Sequence, residues 1–300
     1  NLYMELLSWV LCVVCVDILF KPDCTQLCLG HVKDANNTLH LAWASYCNES
    51  ALRDWSCEWC QDEIETEIKA YLKDTKEGTQ GFVGVDKANN RVFVAYRGSY
   101  NFANAVEDAK FWMIKFPYSS EKLEVDSGFF QAYDSLRAST MSAVQSAKSS
   151  CPTCDEILIT GHSLGASMAT ILAGELGNTS KVRLYTFGSP RTGDEAFANW
   201  VVQRVTSMGG TSTRVRRQLD IVPAIPPRGI GYHHVSTEVW DKHVNDHTDT
   251  FVICNGSGED PKCGDSEEHP PFPLDLIHLK PSEHTRYLGF EGGSCIGGPS

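Results

Sequence analysis

The amino-acid sequence predicts an α/β protein whose mostly parallel central sheet is covered by helices on both faces. From residue 81 onward, short runs rich in β-branched residues alternate with stretches at helical spacing, a pattern typical of βαβ units. The composition is globular, with 42% hydrophobic and 21% charged residues in a chain of 300. Since no repeat or Gly/Ser-rich linker divides the chain, we expect one domain over residues 21–300.

The individual elements follow from local patterns. "GFVGVD" and "RVFVAYRGS" are predicted to be paired strands joined by a turn at "KANNR". Further strands are predicted at "EILITG", "KVRLYTFG" and "TSTRVRRQ", and helices at "SGFFQAYDSLRASTMSAVQSAKS", "GASMATILAGELG" and "DEAFANWVVQRV". The segment 62–74, "DEIETEIKAYLKD", has apolar residues at helical spacing and is predicted to be an amphipathic helix. Residues 21–60 are rich in cysteine and are expected to form mainly loops.

Cysteines and the amino-terminal stretch together predict a secreted, extracellular protein. Twelve cysteines are unusual for a cytosolic chain of this size. Four sequons could accept glycans in the secretory pathway, at Asn36, Asn48, Asn178 and Asn255. The apolar stretch from Leu6 to Val16 is too short to span a bilayer and is typical of a signal peptide, which we place at residues 1–20. Glu5 stands where a positive charge is expected, so a buried amphipathic helix is the alternative.

The charge distribution excludes a polyanionic partner. The formal net charge is −12, whereas proteins that bind nucleic acids present clustered Lys and Arg to the phosphates. The only dense basic run contains Arg214, Arg216 and Arg217, which would form a local patch. We therefore expect no nucleic-acid partner and no transmembrane segment.

Ser163 is the candidate nucleophile. It lies in "GHSLG", flanked by Gly161 and Gly165, where a predicted strand gives way to a predicted helix. This context is that of a nucleophile elbow, a tight turn that presents a serine hydroxyl for attack. The turn would also place the Leu164 N–H at a helix amino terminus, facing a developing oxyanion.

A serine nucleophile needs a base and an acid, which in this kind of fold follow it in the chain. Asp220, in "RRQLDIVPAIPP", is the best acid because it follows a strand and precedes prolines. Asp194 is predicted to cap the next helix, while Asp246 and Asp249 fall in a polar loop. His243 and His247 have metal-pair spacing, but no apolar face would fix a helix there, so no metal site is expected. His269 lies in an acidic loop, and position alone leaves both His278 and His284 open as the base.

The chain resembles the fungal class 3 lipases, the family of filamentous-fungus triacylglycerol lipases and the related type A feruloyl esterases. The resemblance runs from about Tyr46 to Cys295 and rests on "YRGS", "GHSLG", "GSPRTGDEAFANWV", "RQLDIVPAIPP" and "EHTRYLG". It implies an α/β-hydrolase fold with Ser163, Asp220 and His284 as the catalytic triad. Glu283 replaces the aspartate that usually precedes the family's histidine, and His234 matches a family histidine that we interpret as structural.

The same resemblance implies the oxyanion hole and part of the disulfide framework. Ser99, after "RVFVAYRG", would supply a second amide donor beside that of Leu164. Cys47 would bridge to Cys295, while short spacing favours Cys57 with Cys60 and Cys254 with Cys263. The pairing of Cys24, Cys28, Cys151 and Cys154 has no support from the family and stays open.

In the family, the segment after the oxyanion serine forms a short lid helix. Here an apolar stripe of Tyr100, Phe102, Ala105 and Val106 alternates with polar residues, as in an amphipathic lid. The lid tryptophan of some relatives is replaced by Ala105, and the feruloyl esterases have more polar lids. The missing tryptophan argues against strong interfacial activation, and a plain surface helix would show the same stripe. Because this stripe is more apolar than the lids of the feruloyl esterases, the resemblance implies a lipase of acylglycerols that acts at a lipid–water interface.

Several alternatives stay open. The same scaffold could hydrolyse feruloyl or aryl esters, phospholipids or partial glycerides, and a non-catalytic binding protein is the distant alternative. The implied chemistry needs no cofactor. The oligomeric state is left open, although we expect a monomer.

Overall fold

The computed structural model describes residues 22–60, 66–100, 111–245, 248–268 and 279–295, and its side-chain description omits residues 22–32 and 243–250. Within this part of the chain, eight strands form one sheet in the order β1-β2-β3-β6-β7-β9-β11-β12. The five middle strands, from β3 to β11, run parallel, and the remaining pairings are antiparallel. Their bounds are β1 Thr66–Asp74, β2 Thr79–Asp86, β3 Arg91–Tyr96, β6 Glu156–His162, β7 Lys181–Phe187, β9 Thr211–Arg217, β11 Glu238–Asn245 and β12 Thr248–Ile253.

Helices and short strands complete the described fold. The helices are α1 Pro22–Ala44, α2 Glu49–Arg53, α3 Ser127–Ser150, α4 Leu164–Leu176 and α5 Glu195–Ser207. A small sheet has the order β10-β8-β5-β4, and β13 pairs with β14. The bounds of these strands are β4 Met113–Lys115, β5 Glu124–Asp126, β8 Gly193–Asp194, β10 Tyr232–His233, β13 Arg286–Tyr287 and β14 Phe290–Glu291. Turns of 3₁₀ helix span Val222–Ala224, Arg228–Ile230, Gly264–Glu267 and Pro281–Thr285.

Both faces of the large sheet are covered, as predicted. Alternate residues of β3 point to opposite faces: Val92 and Val94 pack in the core shared with α3, α4 and α5, whereas Phe93 and Ala95 pack with α1 and α2. All four side chains are fully buried. A parallel strand buried on both faces is expected to be an unbroken apolar run, which "VFVAY" is.

The sequence correctly predicted most elements from residue 79 to residue 217. The antiparallel pair "GFVGVD" and "RVFVAY" is present as β2 and β3, and the three later helices and strands occur where they were predicted. Asp194 caps α5 by accepting a hydrogen bond from the Phe197 N–H at 2.7 Å. The prediction of an α/β-hydrolase fold is confirmed.

The predicted helix at 62–74 is wrong, because residues 66–74 form the edge strand β1. A β-bulge between Ile68 and Ala70 explains the misleading spacing. The bulge inserts one residue, so Ile68 and Tyr71 pack on one face of the sheet although they are three residues apart. Their separation therefore imitates the period of a helix.

The loop prediction for residues 21–60 is also wrong, since α1 occupies 23 of them. From residue 35 to residue 47 every side chain is buried, including the polar Asn36, Asn37 and Thr38. A helical segment buried on all sides, as residues 35–44 are, has no polar face, and so it lacks the periodicity by which a surface helix is identified. Asn36 is the first of the four candidate glycosylation sites, and its burial argues against that role.

Among the described residues, no helix is long and apolar enough to cross a bilayer. The predicted signal peptide at 1–20 lies outside the described residues. The single domain over residues 21–300 therefore stays a prediction.

Three buried histidines link stability to pH. Burial chiefly lowers the pKa of His40 to about 4, although the Trp59 backbone opposes this shift. Burial also lowers the pKa values of His162 and His234 well below 6.5. Below about pH 6.5 these histidines therefore bind protons in the unfolded chain but stay neutral in the folded chain. The free energy of unfolding consequently falls as the pH drops from 6.5 toward 4.

We expect His40→Gln to flatten this dependence by about one proton, which is about 1.4 kcal/mol per pH unit. The measurement is the free energy of unfolding by urea at intervals from pH 7 to 4.5. Because His233 is half-buried and outside the apolar core, His233→Gln is the control. Equal slopes for wild type and His40→Gln would contradict the prediction.

Candidate active site

Ser163 lies in a strained turn between β6 and α4. Its backbone angles are φ 58° and ψ −127°, and it is the residue that precedes the first turn of α4. A non-glycine residue with positive φ costs free energy and marks a site where the surrounding structure imposes the geometry. The turn is held by a hydrogen bond from the Ser163 N–H to the Phe187 carbonyl at 3.1 Å.

Glycines permit this turn by removing steric obstacles. A Cβ atom at Gly165 would overlap the Tyr96 carbonyl, and one at Gly161 would overlap the Gly165 carbonyl. A Cβ at Gly98 would lie 2.7 Å from the His162 oxygen and 2.9 Å from the Ser163 Cβ. The loop after β3 therefore approaches the turn after β6 closely, which brings Ser99 beside the serine.

The predicted acid and base meet in a buried contact. His284 Nδ1 lies 2.9 Å from Asp220 Oδ2 and 3.1 Å from Oδ1, and both residues are fully buried. Since a carboxylate only accepts, Nδ1 carries the proton, which leaves Nε2 as the basic nitrogen. The sequence left His278 and His284 open; His278 lies outside the described residues.

Two further donors hold the Asp220 carboxylate. The Val222 N–H donates to Oδ1 at 2.9 Å, and the buried Tyr287 hydroxyl donates to Oδ2. Burial, followed by the charge of Asp220, raises the pKa of Tyr287 well above its ordinary value, so the phenol stays protonated. A carboxylate with several donors is fixed in orientation, and so is the imidazole that it contacts.

A chain of hydrogen bonds connects the three parts of the site. His162 Nε2 lies 2.7 Å from the His284 carbonyl, and His162 Nδ1 lies 2.8 Å from the Tyr46 hydroxyl. Burial lowers the pKa of His162, so its ring is neutral; it must donate from Nε2 and accept at Nδ1. The Gly98 backbone also hydrogen-bonds the Tyr46 hydroxyl. The His162 and His284 rings lie 4.3 Å apart between centroids.

The structure thus brings Asp220 and His284 into contact, and the His284 ring lies 4.3 Å from the ring of His162, the residue before Ser163. Gly98, the residue before Ser99, lies against Ser163. Of the predicted lid residues, Tyr100 is described and its ring lies under the Arg97 guanidinium at 4.0 Å. Phe102, Ala105 and Val106 lie outside the described residues. Sequence reasoning did not single out Tyr46, His162 and Tyr287, although all three stand inside the segments that carry the resemblance.

The predicted disulfides Cys47–Cys295, Cys57–Cys60 and Cys254–Cys263 are all present. Cys151 and Cys154, whose pairing was open, are bonded to each other. The side chains of Cys24 and Cys28 lie outside the description. His234 is buried with Nε2 2.7 Å from the Pro223 carbonyl, which fits the structural role expected for it.

Two expectations about polar residues are wrong. Asp249 lies in strand β12, opposite His243 of β11, and not in a loop, while Asp246 lies outside the described residues. The arginines Arg214, Arg216 and Arg217 form no surface patch: all three are buried and paired with carboxylates. Arginine and carboxylate neutralise each other, so a run of basic residues can lie inside a protein.

The chain is similar to known lipases in sequence. Residues 93–230 match the sequence profile of the family described as Lipase (class 3). Over this segment, which is slightly less than half of the chain, the protein is similar to the class 3 lipases. It is 36% identical to the secreted mono- and diacylglycerol lipase 1 of Fusarium solani over 173 residues, which are 55% of this chain and 48% of that protein. It is 29% identical to a lipase of Rhizomucor miehei over 248 residues, which are 80% of this chain and 64% of that protein.

Solved structures of class 3 lipases share the fold. The triacylglyceride lipase of Rhizomucor miehei superimposes with a TM-score of 0.76 at 25% identity, covering 88% of this chain and 96% of that one. The lipase from Rhizopus microsporus superimposes with a TM-score of 0.75 at 25% identity, covering 88% and 89%. The chain spans between about half and two thirds of the length of the curated relatives compared above.

The close approach of the two loops makes Gly165 intolerant of a side chain. We expect Gly165→Ala to destabilise the protein by about 1–3 kcal/mol, because the new methyl group must displace the backbone of Tyr96. Chemical denaturation measures the change. Gly229→Ala is the matched control, since a Cβ there meets nothing within 4 Å. Equal stability of the two variants would contradict the proposed tight approach.

Proposed function

We propose that this protein is a secreted serine hydrolase that cleaves the carboxylic esters of acylglycerols. The observation that carries the proposal is the buried contact of His284 Nδ1 with Asp220, with the His284 ring packed on His162, the residue before a serine in a strained strand-to-helix turn. In a solved triacylglycerol lipase of the same fold, a serine protease triad forms the catalytic centre. Two relatives, from Fusarium solani and Penicillium cyclopium, are named secreted mono- and diacylglycerol lipases.

The proposed reaction proceeds through an acyl-enzyme. The Ser163 oxygen attacks the ester carbonyl while His284 Nε2 accepts the hydroxyl proton, and Asp220 stabilises the resulting imidazolium. The carbonyl oxygen gains the negative charge and is stabilised by the N–H groups of Leu164 and Ser99. When the tetrahedral intermediate collapses, the C–O bond to the alcohol breaks and His284 returns the proton to the leaving oxygen.

Deacylation repeats these steps with water. His284 removes a proton from water, the hydroxide oxygen attacks the acyl carbon, and the bond to Ser163 breaks as its oxygen regains the proton. The fatty acid is released. The balanced reaction consumes one ester and one water, and it yields one acid and one alcohol.

Exposed apolar side chains support a lipid phase as the source of substrate. Trp112 is 56% exposed and Ile230 is 52% exposed. Their neighbourhoods are in contact, since a Cβ at Gly231 would lie 3.2 Å from Met113 Cε and the Phe111 and Tyr232 rings lie 6.4 Å apart. Trp112 follows the predicted lid segment closely, and Ile230 lies in the segment that follows Asp220. Large exposed apolar groups at one place are typical of a surface that contacts lipid.

Secretion is supported by the oxidised cysteines. Four disulfides join eight cysteines in the described part of the chain, and such bonds persist in oxidising compartments. Of the four sequons, Asn178 and Asn255 have exposed side chains and are the better candidates for glycosylation.

Replacement of the nucleophile tests the mechanism. We expect Ser163→Ala to lower kcat on p-nitrophenyl butyrate by on the order of 10⁶, because no other group supplies the attacking oxygen. Ser189→Ala, at a buried serine whose hydroxyl bonds the Pro190 carbonyl, is the control and keeps its activity. A fluorophosphonate probe should label the parent at Ser163 and leave Ser163→Ala unlabelled. A kcat of Ser163→Ala close to that of the parent would contradict the proposed mechanism.

The substrate class is tested separately with the parent protein. Rates are compared on emulsified triolein, monoolein, phospholipid vesicles and methyl ferulate. We expect hydrolysis of the two acylglycerols to be the fastest. A preference for methyl ferulate or phospholipid would replace the substrate while leaving the reaction type in place.

The exposed tryptophan is tested by Trp112→Ser. We expect the rate on emulsified triolein to fall several-fold while the rate on soluble p-nitrophenyl acetate stays within twofold, because only the emulsion requires contact with lipid. Met208→Ser is the control. Met208 is 46% exposed but precedes β9, so it lies near the amino-terminal ends of the parallel strands, whereas Ser163 follows the carboxyl end of β6. Equal losses on both substrates would show that Trp112 has no role at the lipid surface.

A further inference from the structure

The side chain of Arg217 lies between two carboxylates at the carboxyl end of β9. Its Nε lies 2.9 Å from Glu283 Oε2, and its Nη1 lies 3.0 Å from Asp241 Oδ2. The side-chain exposure is 8% for Arg217, 0% for Asp241 and 17% for Glu283. These ion pairs are therefore largely removed from solvent. The free energy of a buried ion pair depends more strongly on its geometry and on both charges being present than that of an exposed pair.

Each partner of Arg217 belongs to a different part of the site. Arg217 stands three residues before Asp220, and its carbonyl accepts a hydrogen bond from the Asp220 N–H at 3.2 Å. Glu283 immediately precedes His284 in the 3₁₀ turn Pro281–Thr285. Asp241 is the residue of β11 that pairs with Arg217 in the parallel register. One guanidinium therefore joins the strand end that carries the acid to the turn that carries the base.

Another attachment of the His284 turn is at Lys280, three residues before Glu283. The Lys280 N–H donates to the Leu219 carbonyl at 2.7 Å, and the backbones of Lys280 and Asp220 form an isolated parallel β-bridge. The His284 carbonyl is also held, by the hydrogen bond from His162 Nε2. The Glu283–Arg217 pair adds a side-chain contact between these two backbone attachments, directly beside His284. It therefore restricts rotation of the turn that would carry the imidazole away from Asp220.

The charges around His284 give Glu283 an electrostatic effect as well. The His284 ring faces the carboxylate of Asp220 and the neutral ring of His162. The Tyr287 phenol donates a hydrogen bond to the same Asp220 carboxylate. Glu283 adds a negative charge on the adjacent residue, and Arg217 adds a positive charge that Asp241 and Glu283 share. Loss of the Glu283 charge would make protonation of His284 less favourable.

We propose that Arg217 and Glu283 are positioning residues for His284. The proposal rests on the proposed function and assigns them no contact with substrate. The planar guanidinium reaches two carboxylates at a fixed angle, which the single ammonium of lysine does not reproduce. Glu283, where the resembling family has aspartate, provides the longer side chain that meets Arg217.

The test compares kcat, KM and the pH profile of kcat/KM for Glu283→Gln and the parent on p-nitrophenyl butyrate. We expect kcat to fall about 10- to 100-fold with KM within twofold, as is usual when a group that orients a functional residue is removed. The acidic limb of the profile should move to lower pH. Arg217→Lys should show the same loss of kcat, and Arg217→Lys/Glu283→Gln should lose little more than either variant alone, because both disrupt one contact.

Glu156→Gln provides the matched control. Glu156 pairs with Arg183 at 2.9 Å, with side-chain exposures of 9% and 31%, at the amino-terminal end of β6, where the sheet is farthest from Ser163. We expect this variant to keep its kcat and its pH profile. Thermal denaturation of all variants identifies any general loss of folding.

Two results would overturn the inference. One is a Glu283→Gln variant with kcat within twofold of the parent and an unmoved acidic limb. The other is a loss that Glu156→Gln reproduces in proportion to its loss of stability. If Ser163→Ala keeps its activity, the proposed function fails instead, so the two failures are distinguishable.

Discussion

The close approach of two backbones, at the end of β3 and at the turn after β6, is the constraint on which the site depends. Gly98, Gly161 and Gly165 leave no room for Cβ atoms there, and Ser163 accepts a strained conformation as a result. A side chain at Gly98 or Gly165 would separate the loop that carries Ser99 from the helix that carries Leu164, and one at Gly161 would push α4 away from β6. The surrounding packed sheet maintains the strained conformation of Ser163, which an isolated turn would not adopt.

Around this contact, the protein fixes its polar side chains with a small set of buried hydrogen bonds. Tyr46, on the segment after α1, joins the loop of Gly98 to the ring of His162, and His162 bonds the carbonyl of His284. Every group in this chain is buried, so a broken bond would leave a polar atom without water. Because of that penalty, the loop, the elbow and the turn of His284 are held in one arrangement.

Much of this could be predicted from the sequence, for reasons that also explain the failures. Unbroken apolar strands such as "VFVAY" and amphipathic helices such as α3 follow from patterns that extend over few residues. Ser163 was identified because its turn is local, whereas the choice between His278 and His284 depends on a contact between residues 64 positions apart. Position alone could not make that choice, and the resemblance did. The bulge in β1 gave a strand the spacing of a helix, and the burial of residues 35–44 on all sides left that part of α1 without the polar face on which prediction relies.

The Cys47–Cys295 bond, whose partners are 248 positions apart, closes nearly all of the described chain into a covalent ring. A single proteolytic cut inside that ring, for example in the exposed turn 87–90 between β2 and β3, opens the ring without releasing a fragment. Both pieces stay tethered and can keep their native pairing. Damage of this kind in a protease-rich medium would therefore become visible on a gel only after a reductant is added.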